Sequence, residues 1–391
     1  MRGKLPPVPR LVAIDLAGGP AWVDALRRAW DDGDAVLPVD QRLARPARAA
    51  LLAGLGAAAV IGHDGMSTLD GGRPVESGDA LVMATSGTTG APKGVVLTHD
   101  AVTASATATS ARLGVDPDRH RWLACLPLNH IGGLSVITKA LCTGTPVHVL
   151  PGFDLAAVVD ASGPDVLVSL VPTTLRRVGA ARWHTVVLGG SAPPGSLPAN
   201  VRTTYGLTET GSGVVYDGTP LDGVEVTVDA ATGEISLRAP MLARAYRDGS
   251  SVTDSDGWLH TGDAGSWSAE GRLAVDGRLS ELIITGGENV WPGPVERILA
   301  GCPGVGEVAV AGRPDAEWGE RVVAWVVPAA GGPAPTLDEL RSRVRDELAA
   351  FAAPRELIVV DSLPKTSIGK IQHGRLPYGG PARHPQEEFP P

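Results

Sequence analysis

Thr85-Ser86-Gly87-Thr88-Thr89-Gly90-Ala91-Pro92-Lys93-Gly94 is the stretch that decides the fold. It follows a short apolar run, residues 80–84, that reads as a buried strand. Glycine lets backbone N–H groups turn inward, hydroxyls donate hydrogen bonds, and Lys93 adds positive charge, so the loop suits a polyanion. A plain flexible turn needs no lysine and no cluster of hydroxyls. The Walker A pattern GxxxxGK[ST] does not fit these residues.

Outward from this loop, apolar runs at 80–85, 122–126, 146–150, 165–171 and 185–188 alternate with helical patterns at 100–112 and 134–142. That alternation predicts α/β architecture with parallel strands and crossover helices. Upstream, residues 49–62 read as a core helix followed by a strand at 58–61. Between 221 and 277 the texture changes: 224–228 and 234–238 alternate apolar with polar residues, the pattern of an antiparallel hairpin in a small β-subdomain. Beyond Asp276-Gly277-Arg278-Leu279-Ser280 the chain reads as a compact α+β unit. It has helices at 292–300 and 336–351 and strands at 308–311 and 322–327. Thr336 and Glu339 form a capping-box pattern that opens the second of those helices. The expected organisation is therefore a large N-terminal part, residues 1–275, with α/β sheets and a small β-subdomain. A hinge at 276–281, a small mobile α+β C-terminal domain at 282–376 and a disordered Pro-rich tail at 377–391 follow.

Composition removes other classes. Of 391 residues, 43% are hydrophobic and 20% charged, which places the chain among soluble globular proteins. A net charge of −9 argues against a nucleic-acid binder. An acidic protein that handles polyanions must do so through local devices: a few lysines, backbone N–H groups, a metal ion. Cys125, Cys142 and Cys302 are odd in number and far apart, fitting neither a disulfide framework nor a zinc spacing, so a reducing cytoplasm is the expected location. No apolar stretch is long enough to span a bilayer, and the first 15 residues lack the apolar core of a signal peptide.

From about residue 79 to about residue 376 the chain resembles the adenylate-forming superfamily of acyl- and aryl-CoA synthetases, peptide-synthetase adenylation domains and luciferases. The family's motifs occur in order, and the resemblance assigns roles to their residues. Thr85, Ser86, Gly87, Thr88, Thr89, Gly90 and Lys93 hold the ATP phosphates. Gly189, Gly190, Ser191 and Ala192 lie along the adenine, and Tyr205, followed by Gly206, stacks on it. Thr208 contacts the α-phosphate and Glu209 holds Mg²⁺. Asp263 accepts from the ribose hydroxyls, assisted by Arg278, which marks the hinge. In Leu126-Pro127-Leu128-Asn129-His130-Ile131-Gly132-Gly133-Leu134, His130 gates the acyl pocket and positions the carboxylate. Gly286, Gly287 and Glu288 line the thiol channel. Lys370 closes Pro364-Lys365-Thr366-Ser367-Ile368-Gly369-Lys370 and bridges the substrate carboxylate and the α-phosphate. Ser280 stands at the hinge position usually filled by Asp or Lys, beside Glu281.

The implied reaction is carboxylate activation. A carboxylate attacks Mg·ATP to give an acyl-adenylate and pyrophosphate, and a thiol then displaces AMP. Coenzyme A is the expected co-substrate, with a carrier-protein phosphopantetheine as the alternative thiol. Among relatives, the Leu-Pro-Leu-x-His-Ile string and Tyr216-Asp217-Gly218-x-Pro220-Leu221-Asp222-Gly223 look most like the o-succinylbenzoate–CoA ligases of menaquinone biosynthesis. The chain before the phosphate loop is expected to be a trimmed form of the usual N-terminal subdomain. A substrate with two carboxylates needs a second cation. Lys139 is a candidate, against the plainer reading of an exposed lysine on a helix. Another aryl- or acyl-CoA ligase and a carrier-protein-loading enzyme stay open. A non-catalytic nucleotide-binding protein would be expected to have lost Lys370 or Glu209. The expected partners are a small carboxylic acid, ATP and CoA, with no nucleic acid; a homodimer is left open.

Overall fold

The computed structural model describes residues 8–86, 92–191, 196–365 and 371–377. The chain divides into two compact units, Met1–Val275 and Asp276–Pro391. Among the described residues the strands form four sheets, two of seven strands, one of four and one of five.

The first sheet starts from three short apolar runs. Leu11–Ile14 lies between Ala35–Pro38 and Ala59–Gly62, parallel to both. The first two of these strands are buried at every position, which fits strands covered on both faces. Ala35–Pro38 also runs parallel to Asp79–Ser86. Here the structure departs from the parallel pattern expected after residue 79. Asp79–Ser86 pairs antiparallel with the next strand, Pro92–Thr98, so the chain after residue 86 returns alongside in the sheet and does not enter a crossover helix. The base of this strand pair is fixed by charge. Arg244 donates to both oxygens of the buried Asp79, at 3.0 and 2.9 Å. Removing Arg244 would leave the Asp79 carboxylate buried without its counter-charge, a loss on the order of 3 kcal/mol.

The second sheet holds the expected parallel strands. Val201–Leu207, Thr185–Leu188, Val166–Leu170, Arg121–Ala124 and Val147–Val149 lie side by side in that order. Ser212–Tyr216 adds an antiparallel strand beside Val201–Leu207. Two helices follow the pattern of the sequence. His99–Leu113 is capped by the Thr98 hydroxyl, which accepts from Ala101 N at 3.1 Å. Ile131–Thr143 ends at Gly144, whose left-handed φ of 71° makes it a glycine C-terminal stop. The third sheet is the small β-subdomain: Glu225–Val228, Glu234–Arg238, Leu259–Trp267 and Leu273–Arg278.

In the second unit, Val305–Asp315 and Gly319–Pro328 form a long hairpin, extending well past the runs at 308–311 and 322–327. Glu356–Val359 adds a parallel strand, and the hairpin Ile283–Thr285 with Glu288–Val290 completes the sheet. The helices Pro292–Leu299 and Leu337–Arg345 share its core through Val295, Leu299, Leu340 and Val344. The capping box is present, with Thr336 Oγ1 accepting from Glu339 N and Glu339 accepting from Thr336 N. The helix is shorter than 336–351, stopping at Arg345 before a separate 3₁₀ turn at Ala350–Ala352. Leu348 and Phe351 still pack on the same core, so the apolar period outlasts the helix. The Pro-rich residues 378–391 lie outside the described residues.

Candidate active site

The second sheet brings the motifs together. The segment carrying His130 follows Arg121–Ala124, Gly189–Ser191 follows Thr185–Leu188, and Thr208–Thr210 follows Val201–Leu207. All three stand at the carboxyl ends of strands in one parallel array. That is the edge where open α/β sheets bind ligands. Gly189 is required there, since an added Cβ would lie 2.7 Å from Thr204 Oγ1. Gly206 is required more strictly: its Cβ would fall 2.2 Å from the Ser212 carbonyl oxygen, beside a register shift at Tyr205 and Gly206.

Tyr205 and Asp263 meet across two sheets, the phenol donating to Asp263 Oδ2 at 2.8 Å. The Asp263 carboxylate is buried on the strand Leu259–Trp267. The residues assigned to adenine and ribose are therefore already in contact.

Glu209 sits on a one-turn 3₁₀ helix, Thr208–Thr210, tied down by the buried Thr210. Its Oε1 accepts from the Tyr246 hydroxyl at 3.0 Å, and its carbonyl accepts from Ala243 N at 2.7 Å. Tyr246 lies on Ala245–Tyr246, which pairs with Pro92–Thr98, and the Lys93 ammonium stands 5.1 Å from its ring centroid. Burial, followed by the neighbouring Glu209 charge, holds the Tyr246 phenol well above the usual tyrosine range, so it donates throughout physiological pH. Tyr246 thus links the strand carrying Lys93 to Glu209. No motif spacing pointed to it, because the connection is made by strand pairing. Thr85 is paired with Lys93 across the two strands, its hydroxyl donating to the Lys93 carbonyl at 3.4 Å. Gly87, Thr88, Thr89 and Gly90 lie outside the described residues, as does Ala192.

His130 is the N-cap of the helix Ile131–Thr143 and is partly buried. Burial first, and Arg42 second, lower its pKa from the ordinary histidine value, while Asp40 opposes them. A helix N-terminus also disfavours an imidazolium. A neutral ring results, able to hydrogen-bond a carboxylate. The close approach of the loop to the helix depends on Gly133, whose Cβ would come within 2.4 Å of the Pro127 carbonyl oxygen.

Lys139, two turns along the same helix, is not exposed. Its relative exposure is 2%, and Nζ donates to Ser212 Oγ at 2.6 Å and Ser135 Oγ at 3.3 Å. Burial pushes its pKa down from 10.5 to about 7. Among the described residues no carboxylate bonds it; two hydroxyls do. The sequence carried a signal for this, because Lys139 is the only charged residue between Ile131 and Thr143. A helix that is apolar all round is a buried one, and its single lysine is buried with it.

In the second unit, Gly286 and Gly287 form the two-residue turn of a hairpin with φ of 62° and 84°. Both angles are left-handed, as such a turn requires. Gly286 also faces Trp318, whose ring would be 2.7 Å from an added Cβ. Glu288 is exposed at the start of the returning strand. Arg278 ends the strand Leu273–Arg278, and Ser280 is exposed in the 3₁₀ turn Leu279–Glu281. Lys370 lies outside the described residues; on either side of it, Lys365 and Ile371 form an antiparallel bridge.

Among the described residues no cluster of three His, Cys, Asp or Glu side chains could hold a metal. Glu209 is a single carboxylate with one oxygen already held by Tyr246. That donor set fits Mg²⁺, which is bound through one or two carboxylates and otherwise by substrate phosphates and water.

Comparison with known proteins agrees with this arrangement. Residues 72–247 match the AMP-binding enzyme family and residues 294–370 match the AMP-binding enzyme C-terminal domain. A probable 2-succinylbenzoate–CoA ligase of Mycobacterium tuberculosis is 39% identical over 344 residues, covering 78% of this chain and 85% of the relative. An indoleacetate–CoA ligase of Aromatoleum aromaticum is 35% identical over 337 residues, covering 75% of this chain and 65% of the relative. Among solved structures, the Bacillus subtilis o-succinylbenzoate CoA synthetase with its acyl-adenylate intermediate superposes with a TM-score of 0.80 at 27% identity. The superposition covers 94% of this chain and 87% of that one. The same synthetase has also been solved with ATP and magnesium. The chain belongs to the AMP-binding enzyme family of adenylate-forming ligases. No helix among the described residues is long and apolar enough to cross a membrane.

Proposed function

We propose that the chain is an ATP-dependent carboxylate–CoA ligase that activates 2-succinylbenzoate, with Mg²⁺ as the metal. The observation that carries the substrate is Lys139. Among the described residues this buried ammonium is held by hydroxyls and has no counter-charge. A substrate with two carboxylates supplies the missing counter-charge with one and reacts through the other. Indoleacetate, with a single carboxylate, would leave Lys139 as it is. The relatives named for 2-succinylbenzoate support the same reading.

The chemistry follows from charge. The attacking carboxylate and the triphosphate repel each other, and no covalent intermediate on the enzyme is required because the nucleophile is already an anion. The chain must place positive charge where negative charge accumulates. Lys93 and the phosphate-loop donors meet the triphosphate, Thr208 the α-phosphate and Lys370 both reacting groups. Neutral His130 orients the carboxylate by hydrogen bonding and adds no charge. Glu209 would hold Mg²⁺, which would supply positive charge to the phosphates. Tyr246 fixes the Glu209 carboxylate by occupying one oxygen. In the second half-reaction the CoA thiol displaces AMP, with Gly286, Gly287 and Glu288 lining its approach.

Pyrophosphate release measured over a panel of carboxylic acids, with and without CoA, tests the reading. The expected result is pyrophosphate and AMP with 2-succinylbenzoate, and a thioester only when CoA is present. ADP as the sole nucleotide product overturns it. Tyr246→Phe is expected to raise the KM for Mg·ATP about ten- to a hundredfold, the worth of one hydrogen bond of 1.5–3 kcal/mol to a charged group. The KM for the acid should stay unchanged. Steady-state kinetics at varied Mg²⁺ check this, and an equal rise in both constants would place Tyr246 outside the metal site.

A further inference from the structure

The sheet edge that carries His130 is not built from the second sheet alone. Asp40, two residues beyond the strand Ala35–Pro38 of the first sheet, reaches the same loop. Its carboxylate is held on two sides. Arg42 donates through Nε to Oδ1 at 2.8 Å and through Nη2 to Oδ2 at 2.9 Å, and the Arg42 backbone N–H adds 3.0 Å to Oδ1. From the other side Asn129 Nδ2 donates to Oδ2 at 3.3 Å. Asn129 directly precedes His130, so fixing its side chain restrains the peptide that aims the imidazole.

We propose that Asp40, clamped between Arg42 and Asn129, is a positioning residue for His130 and sets the orientation and charge of the ring that receives the acid. The proposal rests on the functional reading above. Nothing in the motif order marks Asp40, which lies 45 residues before Thr85.

Two opposite charges act on His130 from one segment. The Arg42 guanidinium disfavours a second positive charge and the Asp40 carboxylate favours it. Asp40 itself is held below its ordinary carboxylate value: burial raises it, but the bonds from Arg42 outweigh burial. Of the two effects on the ring, that of Arg42 is the larger and Asp40 offsets part of it. The ring therefore stays uncharged without being destabilised by a lone arginine. What separates a positioning role from a merely structural one is the bond from Asn129, which ties the Asp40 carboxylate to the residue directly before the ring.

The full chain with ¹³C-labelled histidine provides the test. The His130 resonance is identified by its loss in His130→Gln, and its titration is followed in wild type, Asp40→Asn, Arg42→Gln and the double variant. Asp40→Asn removes a negative charge, so the His130 midpoint moves to lower pH. Arg42→Gln removes a positive charge and moves it to higher pH, and the double variant falls between. Kinetically, Asp40→Asn lowers kcat/KM for the acid about tenfold or more, as expected when a positioning contact is lost. The KM for ATP stays within about twofold of wild type, and Asp40→Glu restores part of the loss. Midpoints that move the same way in both single variants, or no movement at all, overturn the proposal. So does a loss shared equally between acid and ATP. The titration needs no acid, and the kinetics can use whichever acid in the panel releases pyrophosphate. Failure of the 2-succinylbenzoate reading therefore leaves this inference fully tested.

Discussion

Lys139→Met melts at a higher temperature than the wild type and, in the same molecule, loses most of its activity toward a dicarboxylate. The stability arm follows from proton linkage. In the folded chain Lys139 titrates near 7, well below its ordinary 10.5. The unfolded chain binds the proton more tightly, so folding carries a penalty that is absent above about pH 10.5. It grows as pH falls toward 7 and is constant below. At 1.36 kcal/mol for each tenfold change, the full penalty is on the order of 5 kcal/mol. Methionine fills the same space without a charge and should recover a substantial part of it. Thermal melts at pH 6 and at pH 10 check the sign: the variant's advantage is large at pH 6 and small at pH 10. A variant less stable than wild type at pH 6 would mean that the lysine already has a counter-charge. The activity arm reads the opposite way. kcat/KM for 2-succinylbenzoate falls about 10²-fold, the scale of a charge-assisted bond of 1.5–3 kcal/mol and upward. Analogues with only one of the two carboxylates are turned over equally by both proteins. Equal losses on all of these acids would remove Lys139 from the substrate site.

Lys370→Ala is expected to cut adenylate formation about 10²- to 10³-fold or more, the range found when a donor to developing charge is removed. Thioester formation from supplied acyl-adenylate and CoA should be nearly unaffected. Pyrophosphate exchange reads the first half-reaction and thioester absorbance the second. The separation is the informative part, since a misfolded second unit would damage both. Equal losses would show that Lys370 serves general integrity and not adenylation.

The site was legible where chemistry and spacing lie close together in the chain. Gly189, Thr208 and His130 could each be placed after a strand because short apolar runs ended just before them, and the structure sets all three at carboxyl ends of one parallel array. The strand Pro92–Thr98 was not legible. Its proline, lysine and glycine belong visually to the loop, and its antiparallel partner lies on the other side of that loop. Tyr246 and Asp40 escaped for a related reason. Each reaches its site through a strand pairing or a side-chain bond far away in sequence, which no local pattern records. The overlong helix at 336–351 shows the reverse error. A helix and a separate 3₁₀ turn that cover one core keep an apolar period that a single helix would also give.

The helix Ile131–Thr143 has a further consequence, one of distance. It begins at His130, which on the proposed reading holds the reacting carboxylate, and it carries Lys139 farther along the same axis. The lysine leans back toward the helix start, because its Nζ reaches Ser135, one turn earlier. The five residues from His130 to Ser135 correspond to about 7.5 Å of helical rise. Helical pitch is stiff, so this spacing works as a ruler. On that proposed reading it would select the acid by the separation of its two anionic ends as well as by their charge, and a homologous diacid shorter or longer by one methylene would misalign one end while satisfying the other.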